Sequence, residues 1–178
     1  MKRISIRKAL RTPHTRLFVL LTVILTVAAL VTRNVRADDS CVPVHGTINS
    51  VFTTPNCTSP VGLCTVGTIT GAGLLNGATS FLALDVAPSA GMPLTEPAAN
   101  ISYSGQLTIV TTNGTLVTRD LGVLDASHLA FTEMERPASG TGMFANPGNT
   151  VFFISGSIVD NGQGFQGKLS GMLCPSAE

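Results

Sequence analysis

From Val44 onward, apolar and polar residues alternate with a period near two. The stretches are rich in Val, Ile, Thr and Phe, and Gly, Asn, Asp and Pro interrupt them at short intervals. That pattern builds half-buried β-strands joined by tight turns. Strands are expected near 44–53, 65–72, 79–87, 101–111, 115–124, 128–136, 150–159 and 164–173. No stretch of 38–178 keeps an apolar 3.6-residue period for three turns, so helices are not expected to carry the core. Eight consecutive strands with short links predict an all-β domain. Its expected form is an eight-stranded antiparallel up-and-down barrel, which leaves no open edge; a β-sandwich is the alternative.

The segment before the strands has a different composition. Lys2, Arg3, Arg7, Lys8, Arg11 and Arg16 precede the uncharged run LFVLLTVILTVAALV at 17–31, and Val35-Arg36-Ala37 supplies small residues at the two key cleavage positions. This is the three-part form of a secretory signal peptide, here 1–37, leaving a domain at 38–178. The run is short for a membrane span, which needs about 20 apolar residues. An uncleaved N-terminal anchor is the alternative, and either outcome exports the rest of the chain. The expected location is therefore secreted or extracellular. Without 1–37 the chain keeps only Arg119, Arg136 and Lys168 against ten acidic residues, a balance of −7. Three scattered cations are a poor match for nucleic acid, whose phosphates need clustered Lys and Arg. No affinity for anionic membranes is expected after cleavage.

Cys41, Cys57, Cys64 and Cys174 all lie in the exported part. An even count in such a domain suggests two disulfides, with three possible connectivities. The preferred one joins Cys57 to Cys64 around a short Pro/Ser/Thr/Gly loop and Cys41 to Cys174 at the two ends. The latter would staple a barrel seam, because the last strand of an eight-stranded barrel runs against the first. A single C-x6-C pair without a matching second pair argues against zinc, and no metal or other cofactor is expected.

Register follows from turn lengths. A three-residue turn Thr112-Asn113-Gly114, with Gly in the left-handed position, pairs Ile109 with Val117, Leu107 with Arg119 and Tyr103 with Val123. A similar turn at Asp125-Ala126-Ser127 pairs Val123 with Leu129, Leu121 with Phe131 and Arg119 with Glu133. One face then collects Tyr103, Leu107, Leu121 and Phe131, with Arg119 and Glu133 opposite each other upon it. A two-residue Asn-Gly turn would flip the set and bring Thr118 and Asp120 inward. The first register is preferred because it keeps the apolar residues together.

Two glycine-rich stretches invite a nucleotide reading, and neither supports it. NGQGFQG at 161–167 has the G-x-G-x-x-G spacing, yet it precedes an alternating strand where a phosphate site needs a helix N-terminus. SGTGMFANPGN at 139–149 has no following Lys-Ser/Thr and no helix. Its glycines fit tight turns and close backbone approach. Long connection 88–100, with Pro88, Pro93 and Pro97, reads as a solvated loop; a lid over a barrel mouth is the alternative.

TRDLGVLD (118–125), FTEMERPASGTGMFANPGNTVFFISG (131–156) and GFQGKLSGMLC (164–174) together resemble the allene oxide cyclase and dirigent proteins, with GTGMFA similar to their G-T-G-x-F segment. The resemblance covers roughly the C-terminal 60 residues; the remainder agrees by strand count alone. It implies a calycin-type barrel with a cavity for a small hydrophobic molecule, often in a homotrimer. In the plant members that barrel guides cyclisation or radical coupling. None of their pocket residues is carried over to a position in this chain.

The remaining chemistry is sparse. There is no G-x-S-x-G, no H-E-x-x-H and no Trp; His45 and His128 are the only histidines after residue 37, and His128 reads as a turn residue. Glu135 and Arg136 read as solvated rim residues. Arg119 and Glu133 are the candidate catalytic or polar-contact pair, because buried ionisable groups must be paired and tend to gather in functional cavities. Tyr103, Leu107, Leu121 and Phe131 are the candidate ligand-binding residues. The leading expectation is binding of a small apolar molecule without catalysis. The alternatives are a cofactor-free cyclase or isomerase using Arg119 and Glu133, and a structural extracellular module with a filled core.

Overall fold

A computed structural model describes residues 41–88, 100–159 and 162–174. The segment expected to be a signal peptide, 1–37, and positions 89–99 of the long connection lie outside the described residues. Eight strands form in chain order: β1 (Val42–Thr53), β2 (Cys64–Thr70), β3 (Gly77–Pro88), β4 (Asn100–Thr111), β5 (Gly114–Asp125), β6 (Ala130–Gly140), β7 (Val151–Val159) and β8 (Gly164–Leu173). Each pairs antiparallel with its sequence neighbour, and β8 returns to β1, so the sheet closes into an up-and-down barrel. Closure excludes the sandwich. Among the described residues no helix is long and apolar enough to cross a membrane.

Both expected disulfides form. Cys41–Cys174 sits beside the first β1–β8 pair, Val42 with Leu173, and fastens the seam. Cys57–Cys64 closes the β1–β2 connection. Two disulfides and no free cysteine among the described residues fit an oxidising compartment.

The two ends of the barrel differ. At the seam-staple end, two 3-10 turns, Gly73–Leu75 and Gly142–Phe144, fold inward. They deliver Leu75 and Phe144, both fully buried, onto Ile109, Leu116, Phe152 and Leu173. This end is a packed core. SGTGMFANPGN is thus a plug. Gly142 takes φ +58 there, and a Cβ on it would come within 2.4 Å of the Asn113 carbonyl oxygen. The opposite end, where β1, β3, β5 and β7 finish, is hollow.

The two hairpins around β5 depart from the expected register. The β4–β5 turn is Thr112-Asn113, with Thr111 paired to Gly114, so Leu107 faces Thr118 and Tyr103 faces Gly122. The β5–β6 loop spans 126–129, with Asp125 paired to Ala130. Leu129 adopts φ +54, a left-handed conformation in a residue without the usual glycine signal. Each turn shifts pairing by an odd number of residues. On β4 and β6 the expected inward residues stay inward, while β5 alone is turned over. Leu116, Thr118, Asp120 and Gly122 point in; Arg119 and Leu121 point out.

A hollow end floored by carboxyl groups

The open end holds a cavity of about 190 Å³, walled by apolar side chains including Ile48, Phe81, Ala83, Leu107 and Phe131. Phe131 and Phe165 meet edge to face, centroids 5.2 Å apart. A bulge in β3 between Ala83 and Asp85 shifts the phase of the strand, so both Ala83 and Val86 line the space. An apolar cavity of about 150 Å³ is enough to take up benzene in another protein. This one has room for a molecule of that order or somewhat larger.

The polar end of the cavity is built from three adjacent strands. Tyr103 of β4 lies beside Gly122 of β5, which lies beside Glu133 of β6. The phenol reaches across the glycine and donates to Glu133 Oε2 at 2.8 Å. A Cβ at position 122 would come within 2.3 Å of the Tyr103 ring. Gly105 does the same for Phe81: a Cβ there would meet the Phe81 ring at 2.3 Å and Asp120 Oδ2 at 2.9 Å.

Behind Glu133 lie two more carboxyl groups. Asp120 is 6% exposed and pairs across the strands with Glu135, which is 0% exposed. The Thr118 hydroxyl donates to Glu135 Oε2. Both Asp120 oxygens and Glu135 Oε1 are buried without a hydrogen-bond partner of normal geometry. Burial therefore dominates the acid–base behaviour. It lifts Glu133 to about 8, helped by the Asp120 charge and opposed by the Tyr103 hydrogen bond. It lifts Asp120 to about 7, against the pull of the backbone N–H groups of Asp120 and Gly105 and of the Arg119 charge. Glu135 is raised well above the carboxylate range by burial, then by Glu133 and Asp120. Burial, followed by Glu133, also raises the Tyr103 phenol, which stays protonated. Near neutral pH Glu133 thus keeps its proton for the most part while Asp120 is close to half ionised, so the cavity floor can donate as well as accept hydrogen bonds.

Of the residues expected at the site, Tyr103, Leu107, Phe131 and Glu133 line the cavity. Arg119 and Leu121 do not: Arg119 is exposed on the outer wall beside Arg136, and Leu121 is 61% exposed. Arg119 and Glu133 are not opposite each other, because Gly122 takes the place facing Glu133. Glu135, read as a solvated rim residue, is instead fully buried. Asp120 was hidden because alternation assigned the apolar members of β5 to the interior, and its one trace in sequence is the flipped register that a shorter β4–β5 turn allows. Glu135 shares the strand parity of Phe131 and Glu133, so alternation alone places it inward; its charge led to the rim reading. His128 stays at the surface, its Nδ1 2.8 Å from Asp125 Oδ2 in the β5–β6 turn. No three acidic, His or Cys side chains among the described residues converge as a metal site.

The fold and this floor define an eight-stranded antiparallel barrel with one packed and one hollow end. No family model, curated protein or solved structure matches the chain.

Proposed function

We propose that this is an exported barrel that binds a small, mainly apolar molecule in its hollow end, with one polar group of that molecule seated on Tyr103 and Glu133. The observation that carries the reading is an apolar cavity of about 190 Å³ with a single polar floor. Ligand sites commonly combine apolar walls with a few convergent polar groups. The signal-like segment and the disulfides support export. The cavity also favours this reading over a filled structural module, in which side chains would occupy both ends. Neutral naphthalene is a suitable probe. It should bind the protein with 1:1 stoichiometry and lose binding in Ala83→Phe, which fills the cavity from β3. Equal uptake by both proteins would overturn the reading.

A cofactor-free cyclase or isomerase is the second reading, favoured by the proton that burial keeps on Glu133 near neutral pH. A protonated carboxyl in an apolar cavity can act as general acid toward an oxygen of a bound substrate. In that reading Glu133 and Tyr103 act together, and Arg119 does not touch the substrate. The resemblance to allene oxide cyclase and dirigent proteins supports the same chemistry and a homotrimer. Leu121, Met134 and Phe153 form a cross-strand row on the outer wall of β5–β7, with Leu121 and Phe153 exposed. This row is a fitting surface for self-association.

A further inference from the structure

We propose that the polar group received by this cavity is an organic cation, a protonated amine carried on an apolar or aromatic body. The inference rests on the cavity being a ligand site and names the class of ligand it takes.

Three observations converge on it. The first is the distribution of charge. Asp120, Glu133 and Glu135 all point into the barrel, whereas Arg119, Arg136, Lys168, His45 and His128 are all exposed on its outer side. No basic side chain among the described residues faces the three acids. Buried carboxyls are normally held by a cation or by full hydrogen bonding. Here Glu133, the one of the three acids that lines the cavity, has the Tyr103 phenol as its side-chain partner, and behind it both oxygens of Asp120 and one of Glu135 lack a hydrogen-bond partner of normal geometry. A cation seated on Glu133 would bring the countercharge that this cluster lacks.

The second observation is the wall above those acids. Phe52, Phe81, Tyr103, Phe131 and Phe165 line the cavity, five of the nine aromatic residues in the chain. Aromatic rings gathered around a carboxyl group form the kind of setting in which ammonium groups are recognised, through cation–π attraction and a charge-assisted hydrogen bond. The third is the field of the whole domain. Even with Asp120, Glu133 and Glu135 uncharged, residues 38–178 keep a net negative charge, which raises the local concentration of cations at a cleft in the domain and disfavours anionic ligands.

Proton balance follows. Glu133 holds its proton near neutral pH when the cavity is empty, so an ammonium ion seated on it displaces that proton to solvent as Glu133 takes up its charge. Glu133 is faced by Tyr103 from β4, by Asp120 from β5 and by Glu135 of its own strand; β7 brings no titratable side chain. Binding of a permanently protonated amine should therefore strengthen as pH rises from about 6 to about 8, with proton release.

The test is calorimetric titration of the intact mature domain with 1-naphthylmethylammonium and with its neutral counterpart 1-naphthalenemethanol. The inference expects the ammonium to bind about tenfold tighter or more at pH 8, the increment that separates charge-assisted from neutral hydrogen bonding. It also expects a dependence of the apparent enthalpy on buffer ionisation, which reports the released proton. Glu133→Gln, which keeps shape and removes the charge, should abolish the preference while the alcohol still binds. Asp120→Asn gives a second route if Glu133→Gln does not fold, and should reduce the proton release. Binding of the alcohol as tightly as the ammonium overturns the cation inference and leaves the cavity reading standing. Binding of neither overturns both.

Discussion

The phenol of Tyr103 crosses one whole strand to reach Glu133, donating to its Oε2 at 2.8 Å over the bare backbone of Gly122. This single contact joins β4 to β6 and fixes the floor of the cavity. It exists because the intervening residue has no side chain: in the barrel interior, a glycine between two inward residues leaves a slot that an aromatic ring fills.

Gly122→Ala should therefore cost about 1–3 kcal/mol, the usual penalty for forcing a group into a packed site. In the Tyr103→Ala background, with the ring gone, the same substitution should cost much less. Denaturant unfolding of the two single variants and the double variant measures the coupling. Strictly additive losses would mean that the ring does not lie over position 122.

The buried acids set an unusual pH profile. A carboxyl whose folded pKa is raised holds its proton in the folded state when the unfolded chain has already released it. Stability then falls as pH rises from the unfolded pKa to the folded one. For Glu133 that interval runs from about 4.5 to about 8, and for Asp120 from about 3.8 to about 7. Each group contributes a loss of up to about 1.4 kcal/mol per pH unit within its interval. Asp125 works the other way. Hydrogen bonds from Ser127 and then His128 hold it well below the ordinary range, so its contribution is lost only in stronger acid. Stability should therefore peak near pH 4–5 and decline toward pH 8, and Glu133→Gln should flatten the decline. A profile that is level or rises between pH 5 and 8 would contradict the burial of these groups as uncompensated acids.

The strand pattern was legible because each strand carries its own alternation and turn residues. Closure followed from strand number and from the two terminal cysteines. What escaped was the phase of β5. Its apolar members Val117, Leu121 and Val123 alternate with Thr118, Asp120 and Gly122. A rule that sends apolar residues inward picks the wrong set at the place where the interior is polar. The deciding information lies in two turns, and neither advertises its length: Gly114 opens β5 instead of closing the turn, and Leu129 adopts a left-handed φ. Tyr103, Leu107, Phe131 and Glu133 line the cavity as expected because the two odd shifts cancel across β4 and β6.

The outward position of Arg119 can be checked by substitution. Arg119→Ala should change stability by no more than about 0.5 kcal/mol, as for an ordinary surface site, and should leave binding of neutral naphthalene intact. A loss of about 3–5 kcal/mol would instead indicate a buried ion pair and the opposite register of β5.

The two disulfides should differ in what they contribute. Cys41–Cys174 spans a sequence separation of 133, and Cys57–Cys64 one of 7. In the chain-entropy treatment the long loop stabilises by about 4–5 kcal/mol and the short one by less than about 3. Thermal unfolding of Cys41→Ala/Cys174→Ala and Cys57→Ala/Cys64→Ala proteins gives the comparison, and equal losses would show that seam closure does not depend on the staple.

Native mass spectrometry of the protein purified from its own host tests the central claim most directly. The account predicts a 1:1 mass increment of a small organic molecule, lost on denaturation and absent from the Ala83→Phe variant prepared in the same way. A bare polypeptide mass under native conditions, or an increment that survives filling of the cavity, would contradict a ligand held in the hollow end of the barrel.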